Sequence, residues 1–345
     1  MKVIKARNVN GALLRGVDLF KSVLNYSTIE SRNGKTLECV DPVTTVYLKP
    51  TERVCLIEER DANPFFHFIE SMWMLAGRDD LKPLTYYVSS MKDFSDDGET
   101  LWGAYGKRWR EYFLKDQIDV IVKMLKKDPN DRRAVLQMWD AIHDLDKQGK
   151  DVPCNTNIYF KIRLNKLNMT VCNRSNDMLW GAYGANVVHM SVLQEYVAHR
   201  LGLEVGVYRQ ISDSFHVYLN NVWDKVKDLS IDSYSIRAII DPYDKLEKYN
   251  PYFKLFIDHT VLDWELDRFF NYHPADLETS NNWENPCMRD VAVPMAIAYS
   301  KYKANQFDEA YEVCEKIVPV DWKTACLSWL RTREERKNNL AEKGE

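Results

Sequence analysis

Residues 151–177 read DVPCNTNIYFKIRLNKLNMTVCNRSND, and this stretch decides the fold class. Ile158, Phe160, Ile162 and Leu164 alternate with polar residues, so 157–164 reads as a strand with one apolar face. Leu167 to Cys172 alternates in the same way, and Asn165-Lys166 supplies a turn between the two runs. Outward from this hairpin, helical spacing takes over. Pro64 to Gly77 carries Phe65, Phe68, Ile69, Met72, Leu75 and Ala76 on a helical period, with Pro64 suited to the first turn and Gly77 to the stop. Asp116 to Lys126 predicts a second helix, closed by Lys127-Asp128-Pro129, and Val187 to Leu203 a third. Further strands are expected at Thr44 to Ile57 on either side of Pro50, at Ala134 to Trp139, and at Val207 to Ile211 and Phe215 to Tyr218, the last two parted by a polar turn. Leu81 to Gly98 reads as a loop. Antiparallel strands beside long helices indicate an α+β fold rather than a regular βαβ wind.

The 345 residues suffice for one large domain or two smaller ones, and 45% hydrophobic with 28% charged residues describes a soluble globular chain. A net charge of −4 argues against broad capture of nucleic acid. Met1 to Arg7 lacks the long apolar core of a signal peptide, and no apolar run reaches the roughly 18–20 residues that span a bilayer. The 7 cysteines are odd in number and show no C-x-x-C spacing, so neither a disulfide framework nor a metal centre is expected, and a reducing cytoplasm is the default. After about residue 275 the texture changes. Asn281 to Pro286 reads as a loop, and Pro294 to Ile317 and Asp321 to Lys343 as two helices, giving a main domain over 1–275 and a helical extension over 276–345 with a packing or assembly role.

Cys154 is the candidate nucleophile. A thiolate is a strong nucleophile and positive neighbours favour it, although a lone cysteine is more often a buried apolar residue. Arg132-Arg133 and Arg174-Ser175 offer guanidinium forks and a hydroxyl, the chemistry of a phosphate site; a solvated surface pair is the alternative for Arg132-Arg133. Glu70 lies in an apolar helical face beside Trp73, where a carboxylate is costly unless paired or working, and a proton relay is the working role. Asn186 opens the third helix. It is either an N-cap or a reader of a pyrimidine, donating to a 4-keto oxygen and accepting from N3–H. His216 and Tyr218 share one strand face and suit a sugar hydroxyl. The hexapeptide Leu-Trp-Gly-Ala-Tyr-Gly occurs at 101–106 and again at 179–184. Coincidence in two glycine-punctuated turns is one reading; two walls of a pocket for a flat ligand is the other.

Taken together, Phe68 to Trp73, Tyr105 to Trp109, Asp131-Arg132-Arg133, Pro153-Cys154, Arg174 to Asp177 and His216-Val217-Tyr218 resemble the thymidylate synthase and pyrimidine hydroxymethylase family, in order and approximate spacing from about residue 30 to 240. The resemblance implies the thymidylate synthase-like fold, a mixed, mostly antiparallel sheet flanked by long helices, here with the helical extension added. It implies that Cys154 adds to C6 of a pyrimidine deoxynucleoside monophosphate and that C5 then takes a one-carbon unit from 5,10-methylenetetrahydrofolate. Glu70 would relay protons and Tyr105 would help remove the C5 proton. Arg132 or Arg133, Arg174, Ser175 and Arg32 would hold the phosphate, with the arginine pair donated across a homodimer. Asp177 and Trp73 would contact the folate, and His216 with Tyr218 the deoxyribose.

Four departures favour adding water over hydride reduction of the methylene intermediate. Asn155 follows the cysteine where synthases have His, and Lys92 stands where they place a shielding Trp. Arg174-Ser175-Asn176-Asp177 looks closer to phage deoxycytidylate hydroxymethylases, and the charged extension replaces a short apolar tail. Asn186, with no aspartate between Gly181 and Val205, favours uracil. The expectation is therefore conversion of dUMP to 5-hydroxymethyl-dUMP, in the host cytoplasm if phage-encoded. The rivals are thymidylate synthase, a dCMP hydroxymethylase, and a non-catalytic nucleotide- or RNA-binding homologue. Neither nucleic acid nor membrane is an expected partner.

Overall fold

The computed structural model describes residues 1–229, 241–251, 253–280 and 282–343. The hairpin forms from β6 (Asn155–Arg163) and β7 (Lys166–Asp177), with Ile158 opposite Val171 and Phe160 opposite Met169. Its turn falls on Leu164 and Asn165, at φ 51° and 58°, one residue earlier than the sequence suggests. Two successive left-handed residues match the twist of hairpin strands. Leu164 therefore sits at the tip, 95% exposed, instead of on the apolar face.

The hairpin lies in an eight-stranded sheet of order β1 (Lys2–Ala6), β4 (Val43–Tyr47), β8 (Glu204–Tyr218), β7, β6, β5 (Val135–Gln137); β8 also pairs with β3 (Gly34–Cys39), and β3 with β2 (Tyr26–Ser31). The β1–β4 and β7–β8 pairs are parallel and the others antiparallel. Two expectations fail here for a shared reason: the ladder depends on neighbours distant in sequence. The polar turn expected at Ser212-Asp213-Ser214 is the middle of one strand, because Ser212 aligns with Val43 on one side and Asn173 on the other. Conversely, the Thr44–Ile57 run stays in the ladder only as far as Tyr47. Beyond it, Asn10 Nδ2 donates to the Val54 carbonyl (3.1 Å), Leu56 N–H to Asn10 Oδ1 (2.8 Å) and Val54 N–H to the Tyr243 hydroxyl (2.9 Å), so side chains replace a second strand.

The helices follow the apolar periods more closely. After α1 (Val9–Leu19), α2 (Pro64–Leu75) starts at Asn63, whose side chain caps Phe66 N–H, and Gly77 takes the left-handed φ of 72° after it. Every residue of α2 is buried, which makes it the central helix. Leu81–Gly98 is not simply a loop: it contains α3 (Lys82–Tyr87) and a 3-10 turn at Ser89–Phe94. Asp116 caps α4 (Gln117–Lys127). The helix α5 (Asn186–Leu201) is the crossover that the parallel β7–β8 pair requires, and it stops at Gly202, φ 69°. The short α6 (Asn221–Val226) follows β8.

Towards the C-terminus come α7 (His259–Asn271), absent from the sequence expectation, then α8 (Val293–Lys303), α9 (Phe307–Cys314) and α10 (Val320–Lys343). The single helix expected over 294–317 is divided at Asn305, which has φ 65°. Phe65 of α2 packs on Tyr299 and Trp329, and Phe68 on Trp322, with centroids 5.0–5.5 Å apart. Asn281, which opens the expected 281–286 loop, and the last two residues of the 276–345 extension lie outside the described residues. Among the described residues no helix is long and apolar enough to cross a membrane.

Candidate active site

Cys154 sits immediately before β6, half-buried, with Arg174 of β7 beside it. Arg174 N–H donates to the Cys154 carbonyl (2.9 Å). Its guanidinium donates to the carbonyls of Pro153 (2.9 Å) and Val152 (3.0 Å), and Nη2 lies 3.8 Å from Cys154 Sγ. Arg32, on the β2–β3 turn, donates to the Gly149 (2.5 Å) and Lys150 (2.7 Å) carbonyls. Two cations thus grip the segment that leads into the thiol. Burial pushes the Cys154 thiol above its ordinary value; Arg174 and Arg32 pull it down and Asp151 pushes it up. A thiol held above its ordinary value favours the protonated form at neutral pH, so any use of this sulfur as a nucleophile requires loss of its proton.

Tyr105 closes the other side. Its hydroxyl oxygen accepts from both Cys154 N–H and Asn155 N–H, at 3.2 Å each. Burial, with the neighbouring Cys154, holds the phenol far above its usual range, so it stays protonated and conducts a proton only as a hydroxyl. Asp151 is fixed by Gly103 N–H (2.8 Å), and the buried Arg108–Asp144 pair ties the same turn to residues 138–144, with Arg108 also donating to the Met138 and Trp102 carbonyls.

The end of β7 carries a row of carboxamides. Asn176 Nδ2 donates to Ser212 Oγ (3.0 Å), and Asn186 Nδ2 donates to Asn176 Oδ1 (3.1 Å). This uses one amide hydrogen of Asn186. The second hydrogen and the carbonyl oxygen remain for a ligand, a donor–acceptor pair that matches O4 and N3–H of uracil. Gly181 keeps this corner open, since a Cβ there would lie 2.5 Å from Asn176 Oδ1. Both copies of the hexapeptide therefore border the site: one reaches the thiol through Tyr105, the other reaches the carboxamides through Gly181. Asp177 accepts from Trp180 N–H through Oδ1, while its buried Oδ2 has no partner among the described residues. Burial pushes the Asp177 carboxyl up. His216 lies opposite Asp177 in the ladder and packs edge-on against Tyr218, 5.3 Å between centroids.

Glu70 faces inward from α2, and His189 Nε2 of α5 stands 2.9 Å from its Oε2. His67, one turn before Glu70, is held neutral by burial, with Arg60 and His189 adding to the effect.

Strand β7 connects a half-buried thiol, with a guanidinium beside it and a phenol on its backbone, to an oriented carboxamide: Arg174 stands at the first and Asn176, two residues on, at the second. A thymidylate synthase family model matches residues 17–251. The chain belongs to the thymidylate synthase family. It is similar to the deoxyuridylate hydroxymethyltransferase of Pseudomonas phage M6, 44% identical over 96% of this chain and 95% of that protein. It is also similar to the deoxyuridylate hydroxymethyltransferase of Bacillus phage SP01, at 34% identity over 68% of this chain and 66% of the relative. A putative thymidylate synthase from Methanosarcina mazei matches at 29% identity over 66% of this chain and 94% of its own length.

Three expected family contacts are not assembled within this chain. Trp73 is 1% exposed, with its indole N–H donated to the Asp80 carbonyl (3.0 Å); it is a core residue with no face for a cofactor, which corrects its assignment. Arg133 is exposed and pairs with Asp131 (2.7 Å) just before the edge strand β5, and exposed Arg132 makes no ion pair among the described residues. Neither reaches Cys154. Ser175 is half-buried beside Arg174, opposite Ser214. Lys92 is exposed on the 3-10 turn, so no indole stands at that point. Sequence reasoning missed Asp151, and it missed Asn176 as the partner that orients Asn186. It also missed His189, although a histidine three residues after Asn186, set between Val188 and Met190, was a readable signal.

Proposed function

We propose that the protein transfers a one-carbon unit from 5,10-methylenetetrahydrofolate to C5 of dUMP and releases 5-hydroxymethyl-dUMP. The observation that carries the choice of base is Asn186, with Asn176 using one of its amide hydrogens and leaving the uracil-matching pair free. The near full-length similarity to a phage deoxyuridylate hydroxymethyltransferase supports the choice of reaction.

In this reading Arg174 and Arg32, with Ser175, hold the phosphate, His216 and Tyr218 hold the deoxyribose, and Asn186 fixes the ring. Cys154 loses its proton as it adds to C6, which makes C5 nucleophilic. The folate supplies the one-carbon unit. The unpartnered Asp177 Oδ2 beside the half-exposed Trp180 suits the N–H edge and flat face of such a ring system. Tyr105 helps remove the C5 proton, and Glu70 relays protons through water. Water then adds to the exocyclic methylene left on C5. Exposed Lys92, in place of a shielding indole, supports access for that water.

The active unit in this reading is a homodimer. Tyr159, Thr170, Cys172, Arg209 and Ile211 lie on one face of the sheet and are partly or fully exposed, whereas Ile158, Met169, Val171, Tyr208 and Gln210 on the opposite face are buried. A second copy against the open face would cover it and bring Arg132 or Arg133 to the partner's phosphate site. Residues 276–345 act as a supporting layer for α2, and the host cytoplasm is the proposed setting. The test is mass spectrometry of the product with dUMP or dCMP and methylenetetrahydrofolate. Hydroxymethyl-dUMP is the expected product; dTMP, or preferred turnover of dCMP, overturns the reading.

A further inference from the structure

His189 and Glu70 meet in a contact that no step of the proposed reaction uses. His189 is 3% and Glu70 8% exposed, on two different helices, α5 and α2. Their facing atoms, Nε2 and Oε2, are 2.9 Å apart, yet neither makes an aligned hydrogen bond, and His189 Nδ1 is also without a partner. Buried polar atoms are ordinarily satisfied. A pair of buried acid–base groups at hydrogen-bond distance with open valences is a place where a proton can be taken up and held. Asn186 lies one helical turn before His189, so the same face of α5 presents the base-reading carboxamide and the imidazole. The neighbouring imidazole of His67 is already held neutral and adds no competing positive charge. Asn155, where synthases have a histidine after the nucleophile, is fully buried with both amide atoms unpartnered.

We propose that His189 is a positioning residue for the water-addition step: it fixes Glu70 and shares the proton that Glu70 receives from the attacking water. This rests on the hydroxymethylation reading above. In the step, the water oxygen bonds to the exocyclic carbon, and the pair of the C5–methylene double bond moves to C5–C4 as an enolate on O4. The water proton goes to Glu70 and is shared from Oε2 to His189 Nε2. The enolate then reforms C4=O and C5=C6, the C6–S bond breaks, and the departing Cys154 thiolate regains the proton. No oxidant or reductant is consumed.

The role predicts a division between the two halves of the reaction. Release of tritium from C5-labelled dUMP reports the half before water addition, and 5-hydroxymethyl-dUMP reports the whole. In a single turnover with enzyme in excess over dUMP, His189→Gln and His189→Ala should slow formation of hydroxymethyl product about 10–100-fold while the rate of tritium release changes by less than about threefold. Added 2-mercaptoethanol should then capture the waiting methylene as a thioether in greater yield than in the native enzyme. In the free protein, the 15N resonance of His189 Nε2 should shift in Glu70→Gln, a readout that needs neither turnover nor a variant at 189. Equal loss of tritium release and product, an unchanged ratio with no added thioether, or a resonance indifferent to Glu70→Gln would overturn the proposal. If the native enzyme yields dTMP, the function itself fails; if it yields hydroxymethyl-dUMP and the ratio is unmoved, only the role of His189 fails.

Discussion

The two copies of Leu-Trp-Gly-Ala-Tyr-Gly are chemically identical, and the fold uses them differently. In the copy at 101–106, Tyr105 presents its oxygen to the backbone of Cys154 and Asn155, and Trp102 donates to Asp144 (2.7 Å). In the copy at 179–184, Tyr183 is fully buried with its hydroxyl 2.9 Å from Thr45 Oγ1, and Trp180 is 52% exposed beneath the Arg60 guanidinium, 4.8 Å away. The last glycine serves both copies alike. A Cβ on Gly106 would lie 2.2 Å from the Met74 carbonyl oxygen, and one on Gly184 2.5 Å from that of Leu179. Backbone closeness is thus a shared local requirement, whereas the work of the tyrosine depends on what lies opposite it.

Removing the two phenolic oxygens should separate the two copies most strongly. Tyr105→Phe should lower kcat for dUMP by about 10²–10³-fold with little change in KM, as expected for loss of a proton-transfer group. Tyr183→Phe should leave kcat within about twofold and cost roughly 1–3 kcal/mol in urea denaturation, since Thr45 loses its buried partner. Similar kinetics for the two variants would erase the distinction.

The shared requirement predicts a smaller, structural effect. Gly106→Ala forces a Cβ against the backbone of α2 and should destabilise by about 1–3 kcal/mol or more. Gly103→Ala meets only the Asp151 side chain, 2.8 Å away, and should be milder. An equal loss at both positions would show that the contact with α2 is not what selects glycine.

The first copy also anchors the electrostatics of the thiol, through Gly103 and Asp151. Iodoacetamide alkylation of Cys154 in the free protein should be slow at neutral pH and rise as the thiol ionises above its ordinary value, because burial raises it. Asp151→Asn removes a negative neighbour, so the rise should move to lower pH; Arg174→Gln removes a positive one, so it should move higher. Tyr183→Phe should leave the profile in place. The smallest effect belongs to Trp180: with Arg60 stacked on its ring, Trp180→Leu should cost about 0.5–1 kcal/mol in denaturation.

The elements legible in the sequence are those held by local physics. The Pro64 start and Gly77 end of α2, the helix over 116–126, and the alternation of β6 and β7 all came from short-range pattern; the side-chain caps Asn63 and Asp116 emerged in the structure. The errors cluster where distant chain decides. Ser212 to Ser214 looked like a turn until β4 and β7 flanked it; residues 52–57 looked like a strand whose hydrogen bonds Asn10 and Tyr243 took instead. At the site, Cys154, Arg174, Tyr105 and Asn186 were recognisable by type and order. Trp73 was misplaced because a tryptophan beside Glu70 in sequence points elsewhere around the helix, into the core and towards Asp80.

From its residues alone, the chain specified its α+β class, its family, and the side chains proposed to attack and grip a pyrimidine nucleotide, because propensity, periodicity and functional-group chemistry are properties of short segments. Folding decided which of two identical tyrosines stands at the sulfur, which oxygen orients Asn186, and that His189 meets Glu70. The Tyr105–Cys154 and Glu70–His189 contacts join residues 49 and 119 apart, and they exist only once the sheet and α2 pack; the Asn176–Asn186 pair, 10 residues apart, depends on the turn between β7 and α5.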